Sequence, residues 1–182
     1  MEKKEKIKKA AIKLFVEKGF HYTKTSEIAK NAGVGEGTIY IYYKNKLNLA
    51  RHIFDDGISE LLTELKNIKS SNKSTIDKLD SMVDKFFSLF DQDESLYTYL
   101  IMEEHSFLKK LPEDYETPIS FLIELLQEGN KKDINLENAK ITAAFIYGLV
   151  TRVTAFIVFG KLERPSRRYK NQTIEACKKI IS

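Results

Sequence analysis

Six hydroxyl or ammonium side chains lie within positions 38–46: Thr38, Tyr40, Tyr42, Tyr43, Lys44 and Lys46. A hydroxyl or an ammonium group can donate to a phosphate oxygen, and an aromatic ring can pack on a base edge or a thymine methyl. The three tyrosines cannot all be buried, because each hydroxyl needs a partner. These residues therefore indicate contacts with nucleic acid. The alternative is that Ile39 and one tyrosine are core residues and the others form an ordinary polar surface.

Two short helices must position these side chains. The sequence predicts one helix over residues 26–31, with Thr25 as its N-cap, then a tight turn around Gly33 and a second helix over 36–43. Two short helices joined by a glycine-containing turn are typical of a helix-turn-helix. In that motif the second helix lies in the major groove, which is about 12 Å wide, and the first crosses the phosphate backbone.

The rest of the chain is also predicted to be helical, because apolar residues recur at helical spacing and only 3 prolines and 8 glycines occur. The further helices are expected over 2–19, from 46 to the polar segment 70–73, from Ser74, from 93 to about 111 before Pro112, and over 117–129, 135–160 and 167–181. We predict an all-α fold of nine helices. A helix-turn-helix domain is expected over 1–47, and a second domain over 48–182.

The net charge of +4 is unevenly distributed. Residues 1–50 contain 11 lysines and 5 glutamates, a net charge of +6, whereas the remaining residues have a net charge of −2. This asymmetry favours a polyanionic partner for the first quarter of the chain. A lysine-rich, solvated helix face would give the same sum.

Several classes of protein are disfavoured. The single cysteine, Cys177, excludes an internal disulfide framework and a multi-cysteine zinc site. His21, His52 and His105 are scattered, and no catalytic arrangement can be recognised, so we expect no metal, no cofactor and no enzymatic activity. Residues 1–13 are charged throughout and do not resemble a signal peptide, which predicts a cytoplasmic protein.

The segment from Ile141 to Gly160 contains one charged residue, Arg152, and is long enough to span a bilayer. An arginine near the centre of a membrane helix costs about 2.5–3.5 kcal/mol, so an interior or interface helix is favoured and no membrane is expected. Arg152 is expected to be at least half buried. Its partner is predicted to be Glu103 or Glu104, or alternatively the acidic group of a ligand.

The first 55 residues resemble the DNA-binding domain of the tetracycline-repressor (TetR) family. The matching positions, at fixed spacing, are Ile7, Ala11, Leu14-Phe15, Lys18-Gly19-Phe20, Thr25, Ile28-Ala29, Ala32-Gly33-Val34, Gly37-Thr38-Ile39-Tyr40, Tyr42-Tyr43-Lys44, Lys46 and Leu49. The resemblance implies a transcriptional regulator, usually a repressor, that binds a palindromic double-stranded DNA operator as a homodimer. A helical binding or scaffolding protein without a DNA role is the alternative.

The resemblance also implies which residues contact DNA. They are Thr25, Ser26, Gly35, Glu36, Gly37, Thr38, Tyr40, Tyr42, Tyr43, Lys44 and Lys46. Thr38 and Tyr40 would face the groove, whereas Tyr42 and Lys46 would reach phosphates. Two positions depart from the common family pattern: Gly35 lacks a side chain that could contact phosphate, and Glu36 adds a negative charge, which could instead accept a hydrogen bond from a cytosine N4.

The second domain is implied to bind a small apolar or amphipathic effector that releases the DNA. The candidate effector-binding residues are Phe86, Phe90, Tyr97, Met102, Phe107, Phe121, Tyr147 and Arg152. The last two helices, 141–160 and 167–181, are implied to build the dimer interface.

Overall fold

The computed structural model describes residues 2–108 and 115–181, which form nine α-helices and one short 3₁₀ turn, with no strand among them. The helices are α1 (Lys3–Lys18), α2 (Thr25–Ala32), α3 (Glu36–Tyr42), α4 (Lys46–Ser70), α5 (Thr75–Gln92), α6 (Glu94–Leu108), α7 (Pro118–Gly129), α8 (Ala139–Val158) and α9 (Lys170–Ile181). The 3₁₀ turn, Ser166–Tyr169, directly precedes α9. The all-α prediction is confirmed. The predicted end of the sixth helix at Leu111 lies outside the described residues.

Several helix boundaries follow from local hydrogen bonds that the sequence predicts. The Asn45 side chain accepts from the backbone N–H of Asn48 at the start of α4, and Ser74 accepts from Asp77 at the start of α5. Gly19 follows α1 with φ at 82°, a conformation that glycine adopts at little cost. Thr25 is the first residue of α2 and not its N-cap.

The start of α8 differs from the prediction. The helix begins at Ala139 and not at 135, and the Asn138 side chain accepts from the N–H groups of Lys140 and Ile141. The Asn130 side chain holds the preceding segment by bonding both the N–H and the carbonyl of Leu136. Because the N–H and the carbonyl of Leu136 are used in these bonds, they are not available for the hydrogen bonds of a helix that begins at 135.

The described chain divides into two compact units, and α4 belongs to both. The first unit contains the residues up to Gly57 and the described part of 95–111. Its core combines α1, α2 and α3 with the start of α4 and with α6. Tyr99 of α6 is fully buried there: its ring stacks on Phe15 at 5.8 Å between centroids, and its hydroxyl donates to the Ala50 carbonyl at 2.7 Å.

The second unit contains residues 58–94 and the described part of 112–182. In it α5 packs against α8, α9 and the 3₁₀ turn, and α7 packs against α8. The core is rich in aromatic and aliphatic side chains, among them Phe86, Phe87, Phe90, Leu122, Leu126, Ile146 and Ile157. Cys177 is fully buried, and burial raises its pKa to about 11, so it is a core residue. The prediction of domains at 1–47 and 48–182, each with its own function, stays a prediction.

Candidate nucleic-acid interface

The turn between α2 and α3 is built by glycine. Gly33 follows α2 with φ at 66° and ψ at 37°, the left-handed conformation that glycine adopts without strain. The N–H of Val34 donates to the Ala29 carbonyl at 3.0 Å, which closes the end of α2. Gly35 is then the N-cap of α3. Two short helices and a tight turn therefore form a helix-turn-helix.

One buried residue fixes the orientation of α3. Ile39 is fully buried, so the side chains on the opposite side of the helix face solvent. Tyr40 is 51% exposed, Tyr42 is 38% exposed, and Ile41 is 78% exposed. The helix therefore presents polar and aromatic side chains outwards, as a groove-reading helix requires.

A hydrogen-bonded cluster joins α2 to α3. The Thr25 hydroxyl donates to the Glu36 carboxylate at 2.6 Å and lies 3.2 Å from the Tyr40 hydroxyl. Glu36 and Tyr40 of α3 are thereby held against α2, and the Thr25 hydroxyl proton is already used in a hydrogen bond. The neighbouring hydroxyl of Ser26 is exposed. Ser26 is therefore better placed than Thr25 to donate to a phosphate from the start of α2.

Tyr43 is a core residue, so the prediction that its side chain contacts DNA is wrong. It is 1% exposed and packs edge-on against His52, with 5.5 Å between the ring centroids. Burial raises the pKa of its hydroxyl to about 12. Tyr43 follows Ile39 by four residues, which places both on the inner side of this segment.

Lys46 has a structural role in this unit. Its ammonium group donates to the carbonyls of Phe20 and Thr23, each at 2.7 Å, and lies 4.4 Å from the centroid of the Phe20 ring. These contacts tie the start of α4 to the segment between α1 and α2. Its predicted contact with phosphate would have to replace them. Lys44, in contrast, is exposed.

The predicted effector residues are distributed over both units. In the second unit, Phe86, Phe90 and Phe121 are buried, and the Phe86 ring meets Tyr147 edge-on at 6.2 Å between centroids. These four residues belong to the core that α5, α7 and α8 form.

In the first unit, Tyr97 and Phe107 are buried, and Phe107 packs on Phe54 at 5.0 Å between centroids. Met102 is 51% exposed. The assignment of all these residues to an effector site stays a prediction.

Arg152 is exposed and is not among the buried residues of α8, which argues against the expected buried guanidinium. The structure shows no ion pair of Arg152 within the described part of its own unit, and the pairing with Glu103 or Glu104 stays a prediction. Tyr147 and Arg152 are five residues apart, which at about 100° per residue places them about 140° apart around α8. Arg152 therefore points away from the aromatic core of its unit.

The side of α8 that carries Arg152 is otherwise apolar. Four large side chains share it with Arg152 at helical spacing, and 43–64% of each is exposed. We call this set the α8 outer face: Ile141, Phe145, Arg152, Phe156 and Phe159. By length and composition α8 could cross a membrane, and 33% of its most apolar window is buried in the structure. An exposed apolar face of this size indicates contact with another molecule.

Sequence reasoning missed the two most exposed apolar residues of the first unit. Tyr22, between α1 and α2, is 82% exposed, and Ile41 of α3 is 78% exposed. A signal for Ile41 was available, because a helix that buries Ile39 must turn a residue two positions later outwards. Nothing in the sequence signals the exposure of Tyr22.

Comparison with known proteins agrees with this geometry. Residues 7–53 match the family described as "Bacterial regulatory proteins, tetR family". The fatty acid metabolism regulator protein of Bacillus subtilis (strain 168) is 27% identical over 85% of this chain and 76% of its own length. Among solved structures, the fatty acid degradation regulator FadR from Bacillus halodurans superposes with a TM-score of 0.79 at 23% identity, over 97% of this chain and 95% of that chain. FadR from Bacillus subtilis in complex with stearoyl-CoA superposes with a TM-score of 0.76 at 22% identity, over 98% of this chain and 99% of that chain.

The helix-turn-helix, with its outward-facing α3, defines a DNA-binding protein. Residues 7–53 form a DNA-binding domain of the TetR type, and the proteins that resemble the chain over most of its length are transcriptional regulators.

Proposed function

We propose that this regulator reads a palindromic operator with α3 of each protomer of a homodimer, and that an effector bound to the second unit releases the DNA. The observation that carries the proposal is the orientation of α3, with Ile39 buried and its polar and aromatic residues exposed. Ser26, Tyr42 and Lys44 supply phosphate donors, and Thr38 and Tyr40 face the bases. Because its operator DNA lies in the cytoplasm, the protein is proposed to act there.

The second copy of the chain is proposed to cover the α8 outer face. Its exposed aromatic rings make this a surface that water solvates poorly, and α9 packs beside it within the same unit. Two such helix pairs form a four-helix interface. A two-fold symmetric dimer carries two copies of α3, and a palindromic operator offers two half-sites one helical turn of DNA apart, about 34–36 Å.

The effector is proposed to be a long-chain acyl thioester. Three considerations support this class: a relative named for fatty acid metabolism, a structure of similar fold in complex with stearoyl-CoA, and the aromatic core around Phe86, Phe90 and Phe121 in the second unit. The transfer of each methylene of an acyl chain from water into an apolar site is favourable by about 0.8 kcal/mol. The DNA is released if the ligand binds more tightly to a dimer conformation in which the distance between the two copies of α3 no longer fits the operator.

DNA binding is tested by mobility shift on the duplex that flanks the regulator's own gene. We expect binding to weaken linearly in the logarithm of salt concentration, because each neutralised phosphate releases counterions. Tyr42→Phe and Lys44→Ala are expected to weaken binding on all sequences alike. Lys131→Ala, an exposed lysine of the second unit, serves as the matched control. A salt-independent interaction would contradict phosphate contacts.

The effector is tested by adding palmitoyl-CoA, free coenzyme A or palmitate to the DNA complex. Only palmitoyl-CoA is expected to release the DNA. Phe90→Leu is expected to raise the concentration required, whereas Phe87→Leu is its control, because both rings lie on α5 and are 1% exposed. Equal effects of the two substitutions, or release by coenzyme A alone, would oppose an acyl-chain site at Phe90.

The dimer is tested by sedimentation of Phe145→Glu. A carboxylate within an apolar interface should yield monomers. Ile76→Glu, an exposed position on α5, should leave the dimer intact. A dimeric Phe145→Glu variant would remove the α8 outer face from the proposed interface.

A further inference from the structure

Ile41 is unusual among the exposed residues of the first unit. It is 78% exposed on a helix of seven residues, and its branched aliphatic side chain has no group that could donate to a phosphate. An isoleucine in this position gains nothing from burial within its own protomer. The outward side of α3 is also the side that must meet DNA, because Ile39 occupies the inward side.

Gly37 lies one helical turn before Ile41, and nothing within the protomer requires a glycine there. Its φ is not positive, and a Cβ built on it would meet no atom within 4 Å. Glycine within a helix is about 0.5–1 kcal/mol less favourable than alanine. The missing side chain leaves bare backbone beside Ile41, where another molecule can come close.

Gly37, Thr38 and Ile41 share one side of α3, at spacings of three and four residues, and we call this set the α3 outer face. It combines an apolar side chain, a half-buried hydroxyl and open backbone. In the major groove only one base edge presents an apolar group, the C5-methyl of thymine. The chemistry of the α3 outer face therefore matches a thymine more closely than any other base.

We propose that Ile41 is a specificity-determining residue that contacts the methyl group of a thymine in each half-site, and that Gly37 lets α3 approach the groove closely enough for this contact. The inference rests on the proposed reading of DNA by α3. It adds an aliphatic base contact to the hydrogen bonds that Thr38 and Tyr40 can make.

The test begins with duplexes that the unmodified protein selects from a randomised DNA library. Each thymine of a selected duplex is then replaced singly by deoxyuridine, which removes only the methyl group. For the unmodified protein we expect one position per half-site at which the replacement weakens binding by about three- to tenfold. Ile41→Ala should bind the thymine duplex more weakly by a similar factor, and should not distinguish thymine from deoxyuridine at that position.

Two further variants complete the experiment. Gly37→Ala should keep or raise the melting temperature while weakening DNA binding by about tenfold or more, because its methyl group occupies the space of the approaching duplex. Ile76→Ala, an exposed isoleucine of the second unit, should bind DNA as the unmodified protein does.

The outcomes separate the two levels of the proposal. If the library yields no bound duplex, the reading of DNA by α3 fails. If duplexes are selected but no deoxyuridine position weakens binding, or if Ile41→Ala still discriminates at that position, the assignment of Ile41 is overturned while DNA binding stands. Unchanged DNA binding by Gly37→Ala would refute the close approach.

Discussion

Tyr43 and Tyr99 are both fully buried in the first unit, but their hydroxyl groups differ in environment. The Tyr99 hydroxyl donates to the Ala50 carbonyl at 2.7 Å, whereas the Tyr43 hydroxyl reaches no hydrogen-bond partner among the residues that the structure describes. Replacing each tyrosine by phenylalanine removes one oxygen and keeps the ring. The two substitutions should therefore change stability in opposite directions.

The magnitudes follow from the two environments. A buried hydroxyl without a partner costs about 1–3 kcal/mol, so Tyr43→Phe should raise the free energy of unfolding by about 1 kcal/mol. A satisfied hydrogen bond contributes about 0.5–1.5 kcal/mol net, so Tyr99→Phe should lower it by about 1 kcal/mol. For a chain of this length, a difference of about 2 kcal/mol corresponds to roughly 4–8 °C in melting temperature.

Urea unfolding at pH 7, followed by circular dichroism, measures both changes. A spectrophotometric titration should also show that a tyrosine ionising near pH 12 is lost in Tyr43→Phe, since burial raises the pKa of Tyr43 to about 12. DNA affinity of Tyr43→Phe should match that of the unmodified protein, in contrast to Tyr42→Phe. Equal destabilisation by Tyr43→Phe and Tyr99→Phe would mean that the Tyr43 hydroxyl is satisfied, and would refute the reasoning.

Three other substitutions test contacts within a single unit. Lys46→Met should lower the free energy of unfolding by about 2 kcal/mol, as measured by urea titration, because its bonds to two carbonyls are lost. Gly129→Ala should lower the melting temperature by several degrees, since its Cβ would lie 2.5 Å from Thr75 Cγ2. Asp133→Asn should lower the stability at pH 7, because Asp133 accepts from the backbone and the hydroxyl of Thr75 and these bonds lower the pKa of its carboxyl group. That stabilisation is present above the ordinary value of 3.8 and is lost as the pH falls through the lowered pKa, so the two proteins should converge in acid; a constant difference would contradict the assignment.

Much of the helical architecture could be predicted from the sequence, because its signals are local. Asn45, Ser74 and Thr117 each begin a helix by accepting a backbone hydrogen bond within the next three residues. Such signals do not depend on how distant segments pack. The start of α8 was misplaced because the competing bond, from Asn130 to Leu136, belongs to a loop and has no helical spacing.

Side-chain roles were harder to predict than helices. In α8 apolar residues occur on every side, so spacing alone could not tell which side faces the core, and Arg152 was placed on the wrong one. Lys46 resembled a phosphate ligand because its partners, Phe20 and Thr23, come from a segment more than twenty residues earlier. Tyr43 is the exception, since its distance of four residues from Ile39 indicates a shared inner side.

The packing of α6 within the first unit has a consequence for how this chain is made and rearranged. Buried residues of α6, among them Tyr99 and Phe107, complete a core whose remaining members precede Gly57, so a fragment that ends at Gly57 lacks part of its interior. At a translation rate of about 5–20 residues per second, α6 is completed roughly 3–10 seconds after Gly57 has been synthesised, and until then the core of the first unit is incomplete. The segment up to Gly57 is therefore not expected to fold as an independent domain. A chimera that exchanges it between related proteins should carry the matching α6 as well.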